Sequence, residues 1–111
     1  MGKSSRLRKE TDYETQFWCA GGIGILREEV WVDETDEVVR YNLAFLLPHC
    51  SGVDNGRMLS YDNAHGVRER HFMGKADIAE FEDYVMTARR FYREAEALRR
   101  SYENEDIRRR I

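Results

Sequence analysis

Proline is almost missing from this chain: Pro48 is the only one in 111 residues. A Pro-rich linker or low-complexity protein is therefore excluded. Cysteine is nearly as scarce. Cys19 and Cys50 form no CxxC pair, so a zinc site built from thiolates is excluded. Both are expected to be reduced and buried. No window approaches 18 uncharged apolar residues, which excludes a membrane-spanning helix. The opening MGKSSRLRKE has no apolar h-region, so no secretory signal is expected. A cytoplasmic protein with no membrane partner is the expectation.

What is present suffices for one core. Apolar residues make up 41% of the chain and charged residues 35%, and the length suits a single domain. The net charge of −3 hides a blockwise layout. Acidic groups crowd Glu28, Glu29, Asp33, Glu34, Asp36 and Glu37, and basic ones crowd both ends. Arg68, Arg70 and Lys75 lie between, and Arg89, Arg90, Arg93, Arg99 and Arg100 follow. Separated blocks of this kind present a basic patch to a phosphate backbone or, more plainly, a solvated charged face.

Periodicity predicts an α+β fold, an antiparallel meander of four to five strands on one long C-terminal helix. Residues 1–14 read as a polar tail or short helix, 15–75 as the sheet, 76–104 as the helix and 105–111 as a basic tail. In Val38–Leu47 the odd positions Val39, Tyr41, Leu43, Phe45 and Leu47 are all apolar, which marks a central strand that Pro48 ends. Gly21, Gly22 and Gly24 lack a following Lys-Ser/Thr, so they read as a turn or bulge and not as a phosphate loop. Asn55-Gly56 signals a hairpin, with Arg57–Tyr61 returning as a strand. A turn over residues 62–66 leads to a last strand at Val67–Met73. Beyond it Ile78, Phe81, Val85, Ala88, Tyr92, Ala95, Leu98 and Tyr102 recur at helical steps, with Asp77 and Glu80 suited to the helix start. At 1.5 Å per residue this helix is about 40 Å long, against about 20 Å for a sheet of six-residue strands. Its far half is expected to overhang and to invite a homodimer or a second protein.

One stretch concentrates polar chemistry. Tyr61, Asp62, Asn63, His65, Arg68, Arg70, His71 and Lys75 fall within 15 residues. Imidazole moves protons near neutral pH and guanidinium contacts phosphate in pairs of hydrogen bonds. The set suits phosphodiester cleavage without a metal, one group taking a 2′-hydroxyl proton and another protonating the leaving oxygen. Alternation puts Arg68, Arg70 and Phe72 on one strand face and Glu69, His71 and Met73 on the other, which is a difficulty for a single site. The plain alternative is an Asx turn at Asp62-Asn63 with His65 bonded inside the loop. Asp62, His65 and His71 also offer three metal ligands, but His71 lies in a strand pattern, and no metal or cofactor is expected.

The string Tyr61-Asp62-Asn63, His65-Gly66, Arg70-His71 and Gly74, preceded by Tyr41-Asn42-Leu43-Ala44-Phe45, resembles the TumE-type toxin family of bacterial and archaeal toxin–antitoxin modules. The resemblance covers residues 38–92. Many relatives carry more histidine between the glycine and the final Arg-His, where this chain has Arg68-Glu69. The resemblance implies a growth-inhibiting toxin neutralised by a cognate antitoxin, with RNA as the favoured target and an endoribonuclease as the favoured activity. By that carry-over His65 or His71 is the acid–base group and Arg68 and Arg70 contact phosphate. Asp62 and Asn63 orient the histidines, and Tyr61 belongs to the same catalytic set. The competing readings are an interaction domain that acts by binding alone and a nucleic-acid-binding module without catalysis.

Overall fold

The computed structural model describes residues 6–64, 66–79 and 83–110, with side chains as far as residue 104. Six strands follow in chain order: β1 (Arg8–Cys19), β2 (Gly22–Val32), β3 (Val38–Leu46), β4 (Arg57–Asp62), β5 (Glu69–Phe72) and β6 (Lys75–Ile78). Each pairs antiparallel with the next, so the sheet order is the chain order. Among the described residues one α-helix, α1 (Tyr84–Arg110), follows the sheet and packs on one face of this meander, and a short 3-10 turn, Val53–Gly56, lies between β3 and β4.

The central strand is where its alternation puts it. Tyr41, Leu43, Phe45 and Leu47 are buried under α1 together with Leu59 and Tyr61 of β4 and Phe91 of the helix. Phe17 stacks on Phe45, and Tyr61 meets Phe91 edge to face. The sheet exceeds expectation by a strand at one end and most of a strand at the other. Residues 8–14 are not a tail but the first half of β1, and residues 76–78 are not helix but belong to β6. Both segments are exposed on both faces for most of their length, so neither shows the two-residue alternation by which a half-buried strand is recognised. Cross-strand ion pairs hold β1 instead, Lys9 to Glu29 at 2.8 Å and Arg27 to Glu14 at 2.8 Å. The turn expected near Gly21 is there, and Met73-Gly74, expected to end the last strand, is a second turn that leads into β6. Ala20-Gly21 and Met73-Gly74 each have two consecutive positive φ angles, the two-residue hairpin geometry that matches strand twist. Glycine takes the second position of each at little steric cost.

The helix starts late and finishes late. Asp83 caps it, its carboxylate accepting the Met86 N–H at 2.8 Å, which displaces the expected start at 76 by eight residues. The expected basic tail is helical as far as Arg110. Phe81, placed on the apolar stripe by its spacing, lies outside the described residues. Ala88, Tyr92, Ala95, Leu98 and Tyr102 pack against the core. The long β1–β2 ribbon reaches under the far half of α1, where Arg99 lies 4.9 Å over the Phe17 ring. The stripe from Ala88 to Tyr102 therefore packs against the sheet's core, partly buried at Leu98 and Tyr102, while Val85 is exposed; the expected overhang of half the helix is corrected for these residues. Cys19 and Cys50 are not joined in a disulfide; Cys19 is fully buried, its thiol donating to the Arg99 carbonyl at 3.7 Å, whereas Cys50, expected to be buried, is only partly so. No described helix is long and apolar enough to cross a membrane.

Three tyrosines bolt α1 to the sheet through carboxylates. The Tyr84 and Tyr92 hydroxyls donate to the two oxygens of Glu28 on β2, at 2.5 and 2.6 Å. The Tyr61 hydroxyl donates to Glu94 on the helix at 2.6 Å. Burial and the adjacent Glu28 carboxylate push both the Tyr84 and Tyr92 hydroxyls far above the ordinary tyrosine range.

Candidate functional site

The register of β4 against β5 sorts the polar segment onto two faces. Tyr61 pairs with Arg70, Ser60 with His71 and Asp62 with Glu69. Directly opposed residues share a face, so Tyr61 and Arg70 point toward α1 while Asp62, Glu69 and His71 point away from it.

On the helix side, Arg70 donates from Nε to Glu94 at 3.2 Å and to the Tyr61 oxygen at 3.1 Å. Its guanidinium also lies 5.0 Å over the Phe72 ring. Tyr61 is only 1% exposed. Burial, then the Glu94 carboxylate, push its hydroxyl up to about 12. Tyr61 and Arg70 form a strand-to-helix clamp, apart from the imidazole and the carboxylates they were expected to join. Their grouping with His71 is corrected by the pleat alone.

On the far side a compact cluster forms. The His71 Nε2 atom is 3.6 Å from an Asp62 oxygen and 3.9 Å from a Glu69 oxygen. Arg57 sits 3.3 Å from Nδ1 of the same ring. Guanidinium carries only donors, so Nδ1 accepts in that contact. Asp54 holds Arg57 by two hydrogen bonds, at 2.7 and 3.0 Å. Asp62 is nearly buried and accepts the Ala64 N–H at 3.2 Å, the Asx turn its sequence allows. Ser60, opposite His71 in the register, is fully buried. Its hydroxyl has no hydrogen-bond partner among the described residues.

A groove of about 240 Å³ borders this cluster, lined by Glu29, Trp31, Arg40, Asn42, Arg57 and Asp62 among others. Glu29 accepts from Lys9 at 2.8 Å and from Asn42 at 2.9 Å. These bonds, that from Lys9 first, hold its carboxyl below the usual carboxylate range. Trp31 lies between two cations, Lys9 at 5.0 Å and Arg40 at 4.9 Å from its ring. The groove thus offers an aromatic surface and cations beside the imidazole–carboxylate cluster.

The remaining expected residues scatter. Asn63 is structural: its amide oxygen accepts the Tyr41 N–H and its amide nitrogen donates to the Val39 carbonyl, both at 2.9 Å. It pins the β4–β5 turn to β3 through these two bonds. Arg68 lines a separate groove with Val39, Asn63, Val67 and Ile78. Lys75 is exposed on the edge strand β6. His65 lies outside the described residues. Arg57, Glu69 and Ser60 were not singled out from the sequence. Extending the alternation of β5 across to β4 would have found the last two, since both share a face with His71. Arg57 needed the β3–β4 register, which a bulge shifts between Phe45 and Leu46.

Comparisons of the chain with protein-family models, with curated proteins and with solved structures return no match.

Proposed function

We propose that this chain is the toxin of a toxin–antitoxin module and that it cleaves RNA at the Asp62–Glu69–His71–Arg57 cluster. The observation that carries the reading is the meeting of an imidazole, two carboxylates and a guanidinium beside a cationic, aromatic groove. Cleavage next to a 2′-hydroxyl needs a base for that hydroxyl, an acid for the leaving oxygen and positive charge on the phosphoryl oxygens. Glu69 and His71 are both partly exposed, which suits them to the proton transfers. Glu69 takes the 2′-hydroxyl proton and His71 protonates the 5′ oxygen. Asp62, almost buried, holds the imidazole, and Arg57 meets the charge that builds on the phosphoryl group. No metal takes part in these steps. The cations Lys9 and Arg40 held over Trp31 suit the phosphates of an unpaired stretch of RNA.

The test is induction of the chain alone in a bacterium beside His71→Ala and Glu69→Gln variants whose folding is checked by circular dichroism. The wild type should arrest growth and accumulate RNA fragments, and both variants should grow. Arrest that survives both substitutions defeats the catalytic assignment and favours a toxin that acts by binding. Growth of the wild type defeats the toxin reading itself.

A further inference from the structure

We propose that Asp62, Glu69 and His71 form a binding site for one divalent transition-metal ion of the zinc class, and that the bound ion switches the cluster off. Only the inhibitory half of this statement rests on the ribonuclease reading. The three donor atoms all lie within 4.8 Å of one another, with His71 Nε2 at 3.6 Å from Asp62 and 3.9 Å from Glu69. Bonds of about 2.1 Å in tetrahedral geometry hold donor atoms about 3.4 Å apart. The two imidazole–carboxylate separations exceed this by a few tenths of an ångström and the carboxylate pair by little more than an ångström at most, so closing on an ion takes side-chain rotation at Glu69 and no movement of the strands. One imidazole with two carboxylates favours a borderline ion such as zinc over magnesium or calcium, which prefer all-oxygen sets.

Two independent features bear on the site. The first is the Ser60 hydroxyl, fully buried on the same face and directly across from His71, with no hydrogen-bond partner among the described residues. A buried hydroxyl without a partner loses its hydration with nothing in return. A water carried in the fourth position of the ion would give this hydroxyl its missing partner. The second is Arg57, and it acts against the ion. An imidazole that ligates through Nε2 carries its proton on Nδ1 and is steadied by an acceptor there. Arg57 instead brings a donor and a positive charge to Nδ1, at 3.3 Å. The arginine thus favours the metal-free form. An ion that overcomes it ties up the lone pair and both carboxylates on which proton transfer depends.

The purified full-length chain, stripped with chelator, is titrated with zinc against a fluorescent zinc indicator and separately with cobalt. The wild type should bind one ion, and Glu69→Gln and His71→Ala should each weaken binding by about tenfold or more. Arg57→Gln should tighten it, because the amide oxygen can accept the Nδ1 proton that guanidinium repels. The cobalt complex should show the weak visible bands of nitrogen and oxygen ligation and no thiolate charge-transfer band. Unchanged zinc affinity in both ligand variants, a thiolate band from Cys19 or Cys50, or weaker binding in Arg57→Gln would each overturn the site. Zinc that binds without slowing RNA cleavage overturns the switch. Absence of cleavage by the metal-free chain counts against the ribonuclease reading and leaves the ion site standing.

Discussion

Arg57 and Arg70 are guanidinium groups on adjacent strands, each partly buried against a carboxylate, and the face each occupies decides what its loss should do. Arg70 joins Glu94 and Tyr61 between sheet and helix. Arg70→Gln should cost about 1–2 kcal/mol of stability in urea denaturation, the scale of a charge-assisted hydrogen bond, and should leave RNA cleavage by the folded chain within a few-fold of wild type. Arg57→Gln should lower cleavage at least tenfold. Because it also gives up two hydrogen bonds to Asp54, its stability cost should be of the same size as that of Arg70→Gln, so activity and not stability separates the two. Equal losses of activity from both would return the site to the mixed set read from the sequence. Asn63 tests the same distinction for a neutral group. Its amide satisfies one backbone donor and one backbone acceptor of β3, so Asn63→Ala should destabilise by about 1–2 kcal/mol, measurable by chemical denaturation. At this scale the sequence located the polar segment but not the company each of its residues keeps. Tyr61 and Asp62 are adjacent in the chain, yet a period of two sends them to opposite faces, and only the register with β5 shows which partners each meets.

Among the elements, those with one buried face were legible and those without were not. β3 and β4 announce themselves through alternation and the turn residues that bound them. β1 is held by ladder hydrogen bonds and surface ion pairs and β6 by its ladder with β5, and these leave no apolar trace. The helix was legible as an element but not in its start, because Ile78 extends the helical spacing while standing 81% exposed on β6. Its attachment was equally hidden. Glu28 read as one more charge in an acidic block, whereas it accepts from both Tyr84 and Tyr92. This attachment carries a pH signature. Burial and the nearby Glu94 and Glu28 carboxylates raise the Tyr61, Tyr84 and Tyr92 hydroxyls above the unfolded value of about 10. The native state then holds protons that the unfolded state releases above that pH. The stabilisation is complete below about pH 10 and falls as pH rises toward 12 and beyond. Thermal unfolding should show a flat midpoint from neutral pH to about 9 and a steep decline above 10, tracked by tyrosinate absorbance. Glu28→Gln should soften that decline, since it removes the charge that opposes two of the three ionisations.

Taken whole, the molecule is elongated, 65 × 25 × 23 Å, and separates its work between the faces of one sheet. The helix side holds the core and the tyrosine–carboxylate clamps, and the far side holds the imidazole cluster and its groove. Such a division lets the cluster tolerate substitution without loss of the fold, because no apolar contact to α1 depends on His71 or Glu69. It also gives the helix a definite working length. Its packed stripe reaches Tyr102, and Arg99 and Glu103 form the last described ion pair, at 3.2 Å. A chain ending after Glu103 should therefore keep its unfolding free energy to within about 1 kcal/mol, allowing for the ordinary fraying of a helix end. A chain ending after Glu94 loses Ala95, Leu98 and Tyr102 from the core edge, at about 1.5–3 kcal/mol for each large apolar side chain. For a domain of this size such a loss is a large part of the total stability, so circular dichroism should show that chain largely unfolded at room temperature. Equal stability of the two truncations would mean that the far half of the helix does not serve this core. It would restore the expectation that its apolar stripe waits for a second copy or a partner protein.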